Sequence, residues 1–312
     1  MPVVFSVDFL RRPRSTQSSH IASQKNGLFL PGENGGTVIL VHGLTGTPNE
    51  MRFVAHFLNQ EGYSVICPRL ANHGEPVEVL QHTTWQDCYH SVRDALLKIN
   101  TASHTGPIFA AGLSMGALLA LLLADEFPDQ IAGVSCLSPT LFYDGWNIPW
   151  YRPVAIPLLC LTPLRRFCYF KEEPPYGIKN EAVRRRVHQY YRQASLHKMN
   201  GVADYGYPYI PASLFHQLHL LVKHLRRRLP SIRVPVQLIQ AEHDDITSIK
   251  NSSLIYSTIT SAVKELVLLH NSYHVITADQ EREVVAQKMQ GFFSRIRNGA
   301  RSPDLSYGLQ GS

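Results

Sequence analysis

The sequence predicts an α/β protein: a mostly parallel, doubly wound sheet that carries one helical insertion. Three observations predict it. Short β-rich apolar runs alternate with amphipathic helical stretches over residues 37–137 and again from residue 234. Strands separated in this way are joined by crossovers and pair in parallel. Ile108 to Ala120 reads as strand, tight glycine turn and helix in immediate succession. Between Thr140 and Leu229 the rhythm stops, and Pro, Tyr, Trp and Arg follow in irregular order before it resumes.

Each element follows from its residues. Residues 1–26 are mixed and polar, and are expected to form a loosely held arm. Gly27–Leu30 reads as a short strand closed by the turn residues 31–36. Thr37–Val41 is a continuous β-rich apolar run, as in a strand buried on both faces. Asn49–Glu61 places Met51, Val54, Phe57 and Leu58 at helical spacing. Tyr63–Cys67 is the next strand, with Pro68–Gly74 as its exit loop. Thr84–Asn100 is an amphipathic helix capped by Thr83 or Thr84. Ile131–Leu137 is a further strand, after which the insertion carries two helical pieces, Glu181–Leu196 and Ala212–Leu229. Val234–Gln240, a helix over Ser248–Ser261, a strand over Lys264–His270 and a helix over Gln280–Ile296 complete the sheet domain. Asn298–Ser312 is a Gly- and Ser-rich tail, expected to be disordered. The division is an arm (1–26), a core (27–139 and 230–297), an insertion (140–229) and a tail (298–312).

Composition narrows the class. With 44% apolar and 17% charged residues the chain suits an ordinary globular core. No apolar run reaches the roughly 20 residues of a membrane span. The first residues lack the basic-then-apolar order of a secretory signal. The five cysteines (Cys67, Cys88, Cys136, Cys160, Cys168) are an odd count without paired spacing, so reduced thiols and a cytoplasmic location are expected. No Cys/His cluster has metal-site spacing, and no metal or organic cofactor is implied. The net charge of +6 belongs to the insertion, where 14 Lys+Arg face 5 Asp+Glu between Thr140 and Leu229. Arg184–Arg186 and Arg226–Arg228 fall on its expected helices. They serve as solvated faces or attract anionic headgroups or an acidic carrier. No nucleic-acid reading motif accompanies them.

The chemistry is carried by Gly112-Leu-Ser-Met-Gly116. In a G-x-S-x-G turn the serine occupies a strained strand-to-helix elbow that exposes its hydroxyl. Ser114 needs a base and a group that orients the base. Both follow in chain order at strand ends: Glu242-His-Asp-Asp245 and Asn271-Ser-Tyr-His274. Strand ends of a parallel sheet gather on one edge, so these groups converge. Asp244 is the favoured acid by its distance from the strand, with Asp245 as alternative. His274 is the favoured base over His270 and His243. Backbone N–H groups for an oxyanion are expected from Met115 and from Leu44, where Gly43 lets the loop after the first buried strand turn inward. His42 is placed to buttress that loop.

Together, Val41-His-Gly-Leu-Thr-Gly46, Gly112-Leu-Ser-Met-Gly116, Glu242-His-Asp244 and Ser272-Tyr-His-Val-Ile-Thr-Ala-Asp-Gln280 resemble the bacterial carboxylesterase and monoacylglycerol-lipase family of the α/β-hydrolase superfamily. Asn72-His-Gly74 and Thr83–Asp87 are similar to that family's loop and helix. The resemblance covers roughly residues 27–140 and 232–297. It implies a triad of Ser114, Asp244 and His274, oxyanion donors at Leu44 and Met115, and a serine esterase acting through an acyl-enzyme. It further implies that the insertion is a lid over the site. Asn72 and Tyr273 stand where the family usually has glycine. Gly43, Trp146 and Tyr273 are expected near the substrate, and the apolar stretch from Trp146 to Leu161 is expected to line an acyl pocket or touch a membrane surface. An acyltransferase or thioesterase with the same triad, or a non-catalytic binding protein, would share these motifs. Oligomeric state is not readable.

Overall fold

The sheet grows in both directions from β2 (Thr37–Val41), all five residues of which are buried. Val38 and Leu40 face one core, Ile39 and Val41 the other, as the two-residue side-chain period of a strand requires. The computed structural model describes residues 27–299 apart from 34, 102–105, 152–153, 155–157, 160–161 and 197–205. The expected arm and all but two residues of the expected tail lie outside the described residues.

After β1 (Leu28–Leu30) and β2 come α1 (Arg52–Gln60), β3 (Ser64–Cys67), α2 (Val77–Leu80), α3 (Trp85–Thr101), β4 (Ile108–Leu113), α4 (Met115–Glu126) and β5 (Ile131–Leu137). Following the insertion come β8 (Val236–Ala241), α7 (Lys250–Thr258), β9 (Lys264–Leu269) and α8 (Arg282–Arg297). The seven-stranded sheet runs β1-β3-β2-β4-β5-β8-β9. β1 pairs antiparallel with β3, and the other neighbours are parallel. The chain leaves β2 for β3 on one side and returns to β4 on the other, which opens a crevice at the carboxyl ends of β2 and β4. The register brings these ends level: Val41 beside Gly112, Leu113 beside Leu137, Leu137 beside Ile239 and Ala241 beside Leu269.

α4 is apolar all round, and Met115 to Ala124 are all buried. Such a helix needs cover on every side. The sheet supplies one side, and α3 and α6 (Ala212–Arg228) the others. α6 belongs by sequence to the insertion, yet Leu214, Phe215, Leu218, Leu221, Val222 and Leu225 join the same core as the sheet. The rest of the described insertion includes α5 (Glu181–Leu196) and a two-stranded antiparallel sheet of β6 (Tyr169–Lys171) with β7 (Tyr209–Pro211). On the opposite face α1 packs on α8. There Phe109 stacks on Phe293 at 4.5 Å between centroids, and Tyr63 meets both edge-on.

Two glycines set the approach of α4 to the sheet. A Cβ on Gly116 would sit 2.2 Å from the Val41 carbonyl oxygen, and one on Gly112 2.2 Å from the carbonyl carbon of Gly116. These are backbone atoms of adjoining elements and have no free end to move. Gly116→Ala is therefore expected to lower stability by about 3 kcal/mol, the scale of core overpacking. Gly291 lies inside α8 with only the far end of Arg295 within 4 Å. Gly291→Ala is expected to raise stability by roughly 0.5–1 kcal/mol through helix propensity. Urea unfolding of the two variants checks both signs.

Candidate active site

Ser114 ends β4 and begins α4 with φ 57 and ψ −116. A non-glycine residue in this region is held against its own preference by its surroundings. Gly112 and Gly116 leave the room on either side, and the Ser114 amide donates to the Leu137 carbonyl at 2.8 Å. The hydroxyl is bonded to Thr140 Oγ1 at 2.8 Å, and the Thr140 hydroxyl in turn reaches the Ser138 carbonyl at 3.4 Å.

Beyond β9, His274 is buried, and its Nδ1 lies 2.8 Å and 3.1 Å from the two oxygens of Asp244. Asp244 is fully partnered. One oxygen accepts the amides of Ile246 and Thr247 at 2.8 Å each. The other accepts Gln240 Nε2 at 2.7 Å and the Thr247 hydroxyl at 3.0 Å. A carboxylate held in this way fixes the imidazole with its proton on Nδ1 and a lone pair on Nε2. Burial alone would lower the His274 pKa, but the charge and hydrogen bond of Asp244 outweigh it and hold the ring above its ordinary value. Asp245 is also buried, and its hydrogen bond to this histidine is made to the main chain. It accepts the His274 backbone amide at 3.3 Å.

The loop after β2 is anchored atom by atom. His42 Nδ1 donates to the Gly43 carbonyl at 3.0 Å, and His42 Nε2 accepts the Leu70 amide at 3.2 Å. Both bonds suit one neutral tautomer. Burial, with the neighbouring His73, drives the His42 pKa well below its usual value. His73 Nε2 meets the Leu44 carbonyl at 2.8 Å. Because a trans peptide is planar, fixing the Gly43 carbonyl also fixes the Leu44 N–H that points the opposite way. The Gly43 amide donates to Glu50 at 2.7 Å. Burial raises the Glu50 pKa, against the effect of that amide. The Met115 amide belongs to the first turn of α4, where helical N–H groups lack intrahelical acceptors.

Ser114, His274, Gly43, Leu44 and Glu50 line one cavity of about 460 Å³. Its remaining wall is mixed: the insertion supplies the apolar Phe170, Ile178, Val187, Ile210 and Phe215 and also Lys171, Glu172 and Glu173. Trp146 and Tyr273 do not line it. They stack edge-on against each other at 5.4 Å, and the Trp146 indole donates to the His243 carbonyl. Asn147, next to Trp146, and His274 and Val275, the two residues after Tyr273, line the cavity in their place. Sequence reading did not single out Thr140 or Glu50, and it offered Asp245 only as an alternative to Asp244. Among the described residues there is no cluster able to hold a metal ion and no helix long and apolar enough to cross a membrane. Cys67, Cys88 and Cys136 are buried and unpaired.

The family described as serine aminopeptidase, S33 matches residues 32–281. A thermostable monoacylglycerol lipase of Bacillus sp. (strain H-257) is 30% identical over 266 residues, 84% of this chain and 92% of the relative. A carboxylesterase of Bacillus subtilis (strain 168) is 25% identical over 259 residues, 83% and 92% of the two chains. A solved structure from work on two metagenome-derived lipolytic enzymes, LipS and LipT, superposes with a TM-score of 0.70 at 26% identity, covering 88% of this chain and 100% of that one. A monoglyceride lipase variant from Saccharomyces cerevisiae superposes at 0.67 and 20% identity over 92% of this chain and 99% of that one, a likeness of fold. Matched over most of its length, the chain belongs to the serine aminopeptidase S33 family of the α/β-hydrolase superfamily.

Proposed function

We propose that this chain is a serine hydrolase of carboxylic esters, acting on acylglycerols or related lipid esters through an acyl-enzyme. The observation that carries the reading is a buried Asp244–His274 pair whose imidazole lines the same cavity as Ser114. Ser114 Oγ turns from Thr140 towards His274 Nε2, gives up its proton there and bonds to the acyl carbon. The carbonyl oxygen becomes an oxyanion that the N–H groups of Leu44 and Met115 hold. His274 returns the proton to the departing alkoxide as the ester C–O bond breaks. Water then enters, loses a proton to His274 and releases the acid while Ser114 regains its hydrogen. Asp244 keeps the imidazole oriented and offsets its positive charge in both halves. The monoacylglycerol lipase and carboxylesterase relatives support the ester, and the apolar side chains of the wall support an acyl chain.

The insertion acts in this reading as a lid that also meets the lipid surface. Trp150 is 90% exposed and Phe167 62%, beside the exposed Val154, Leu158 and Arg166. Apolar side chains next to a cationic segment suit an anionic interface. Several of the insertion's cations are paired: Arg184 and Arg185 with Glu181, and Arg228 with Asp125.

Three outcomes are expected. Ser114→Ala and His274→Ala should each lower kcat on p-nitrophenyl esters by about 10⁴-fold or more, with Ser114→Ala also abolishing fluorophosphonate labelling. Hydrolysis that survives Ser114→Ala would sink the reading. The base works only when neutral, so kcat/KM should rise with pH through an acid limb whose apparent pKa lies above the ordinary His value of 6.5. The chain should sediment with phosphatidylglycerol vesicles more than with phosphatidylcholine vesicles, and Trp150→Ala with Phe167→Ala should reduce this. Equal sedimentation with both vesicle types would remove the charge-based contact.

A further inference from the structure

We infer that Asp245 is a positioning residue that fastens the 174–178 turn of the insertion to the backbone of His274, so that the insertion helps hold the imidazole in place. The inference rests on the reading of Ser114, Asp244 and His274 as the reacting groups. Two adjacent carboxylates divide the task. Asp244 holds the ring, and Asp245 holds the main chain. One Asp245 oxygen accepts the His274 amide at 3.3 Å, and the other accepts the Gly177 amide at 3.1 Å. Gly177 closes the link, because its carbonyl accepts the Val275 amide at 2.8 Å. Asp279 stitches the same loop on the other side of the histidine. It accepts the amide of Tyr273 at 2.8 Å, and those of Lys179 and Asn180 at 2.7 Å and 2.8 Å. Residues 273, 274 and 275 are thus each tied to the insertion through their amides.

Two features show that the fit is tight. Gly177 has φ +71, and a Cβ there would lie 2.8 Å from Val275 Cγ2 and 3.2 Å from His274 Cβ. Asp245 is 1% exposed and faces two N–H donors at once. The ionised carboxylate accepts both without competition. A protonated acid or an amide turns a hydrogen towards one of them.

The groups around Asp245 set when it carries its charge. Asp244 and His274 face it directly. Glu50 acts on His274 from the β2–α1 connection, and Glu172, Glu173 and Tyr176 of the insertion line the same cavity. Asp144, on the segment packed beneath, is committed to Ser248 and Asn251. Burial first, then Asp244, pushes the Asp245 pKa up to about 6. Asp245 and His274 must then both lose protons in one pH window for the site to work. The folded pKa lies above the ordinary 3.8, so this group adds stability as pH falls from about 6 towards 4. Activity should therefore fall in a range where this carboxyl does not loosen the fold.

The test uses the full chain, with Ser114→Ala as reference, and compares wild type, Asp245→Asn and Gly177→Ala on one soluble ester. Both variants should lose about tenfold or more in kcat with KM changed by less than about threefold, as expected when the base is displaced. In wild type, log(kcat/KM) against pH should steepen beyond a slope of 1 as Asp245 protonates, and in Asp245→Asn the slope should stay at about 1. If Asp245→Asn does not fold, the kcat of Gly177→Ala decides the matter. Unchanged kcat in the folded variants, or a slope of 1 in wild type, would overturn the inference. Activity that survives Ser114→Ala would instead overturn the underlying reading.

Discussion

The bond between Asp244 and His274 is the interaction on which the site depends. It is buried, so it forms only if every remaining polar atom around it is also satisfied. Gln240, Ile246 and Thr247 do this for Asp244, and all of them come from the end of β8 or the turn after it. Removing one partner would leave a charge in a dry place, and that cost greatly exceeds the value of any single exposed ion pair. The sheet must therefore bring the ends of β8 and β9 level before the pair can exist. The parallel register from Val236 beside Lys264 to Ala241 beside Leu269 does so.

The same logic governs Ser114. Ser114 holds an unfavourable backbone conformation because α4, apolar on all sides, is locked between sheet and helices. The energy that keeps the turn strained comes from burying Leu118, Leu119, Leu121 and Leu122 several residues away. Close approach at Gly112 and Gly116 then fixes where the hydroxyl emerges. The geometry at the sheet edge is thus paired with packing in the sheet interior, and α6 ties the insertion into that interior as well.

Much of this was legible in the sequence because it rests on local rules. A five-residue strand of β-branched and leucine residues, a glycine-flanked serine before an Ala/Leu helix, and acid and histidine just past successive strands each carry their meaning in a short window. What escaped reading depends on contacts between distant segments. Thr140 meets Ser114 only because β4 and β5 end side by side, and Gly177 meets Asp245 across 68 positions of chain. Trp146 and Tyr273 were expected at the substrate by their chemistry, yet each is one position from a residue that lines the cavity. A loop offers no period from which to tell which neighbour points inward. α2 is four residues long and β6 and β7 three each, too short to show a pattern.

The most direct measurement is a crystal structure of the chain after reaction with an alkyl phosphonate ester. The account predicts phosphorus bonded to Ser114 Oγ, a phosphonyl oxygen about 3 Å from the Leu44 and Met115 amides, His274 still on Asp244, and the alkyl chain against Phe170 and Ile210. A phosphonyl oxygen turned away from both amides, or a probe attached to another residue, would contradict it.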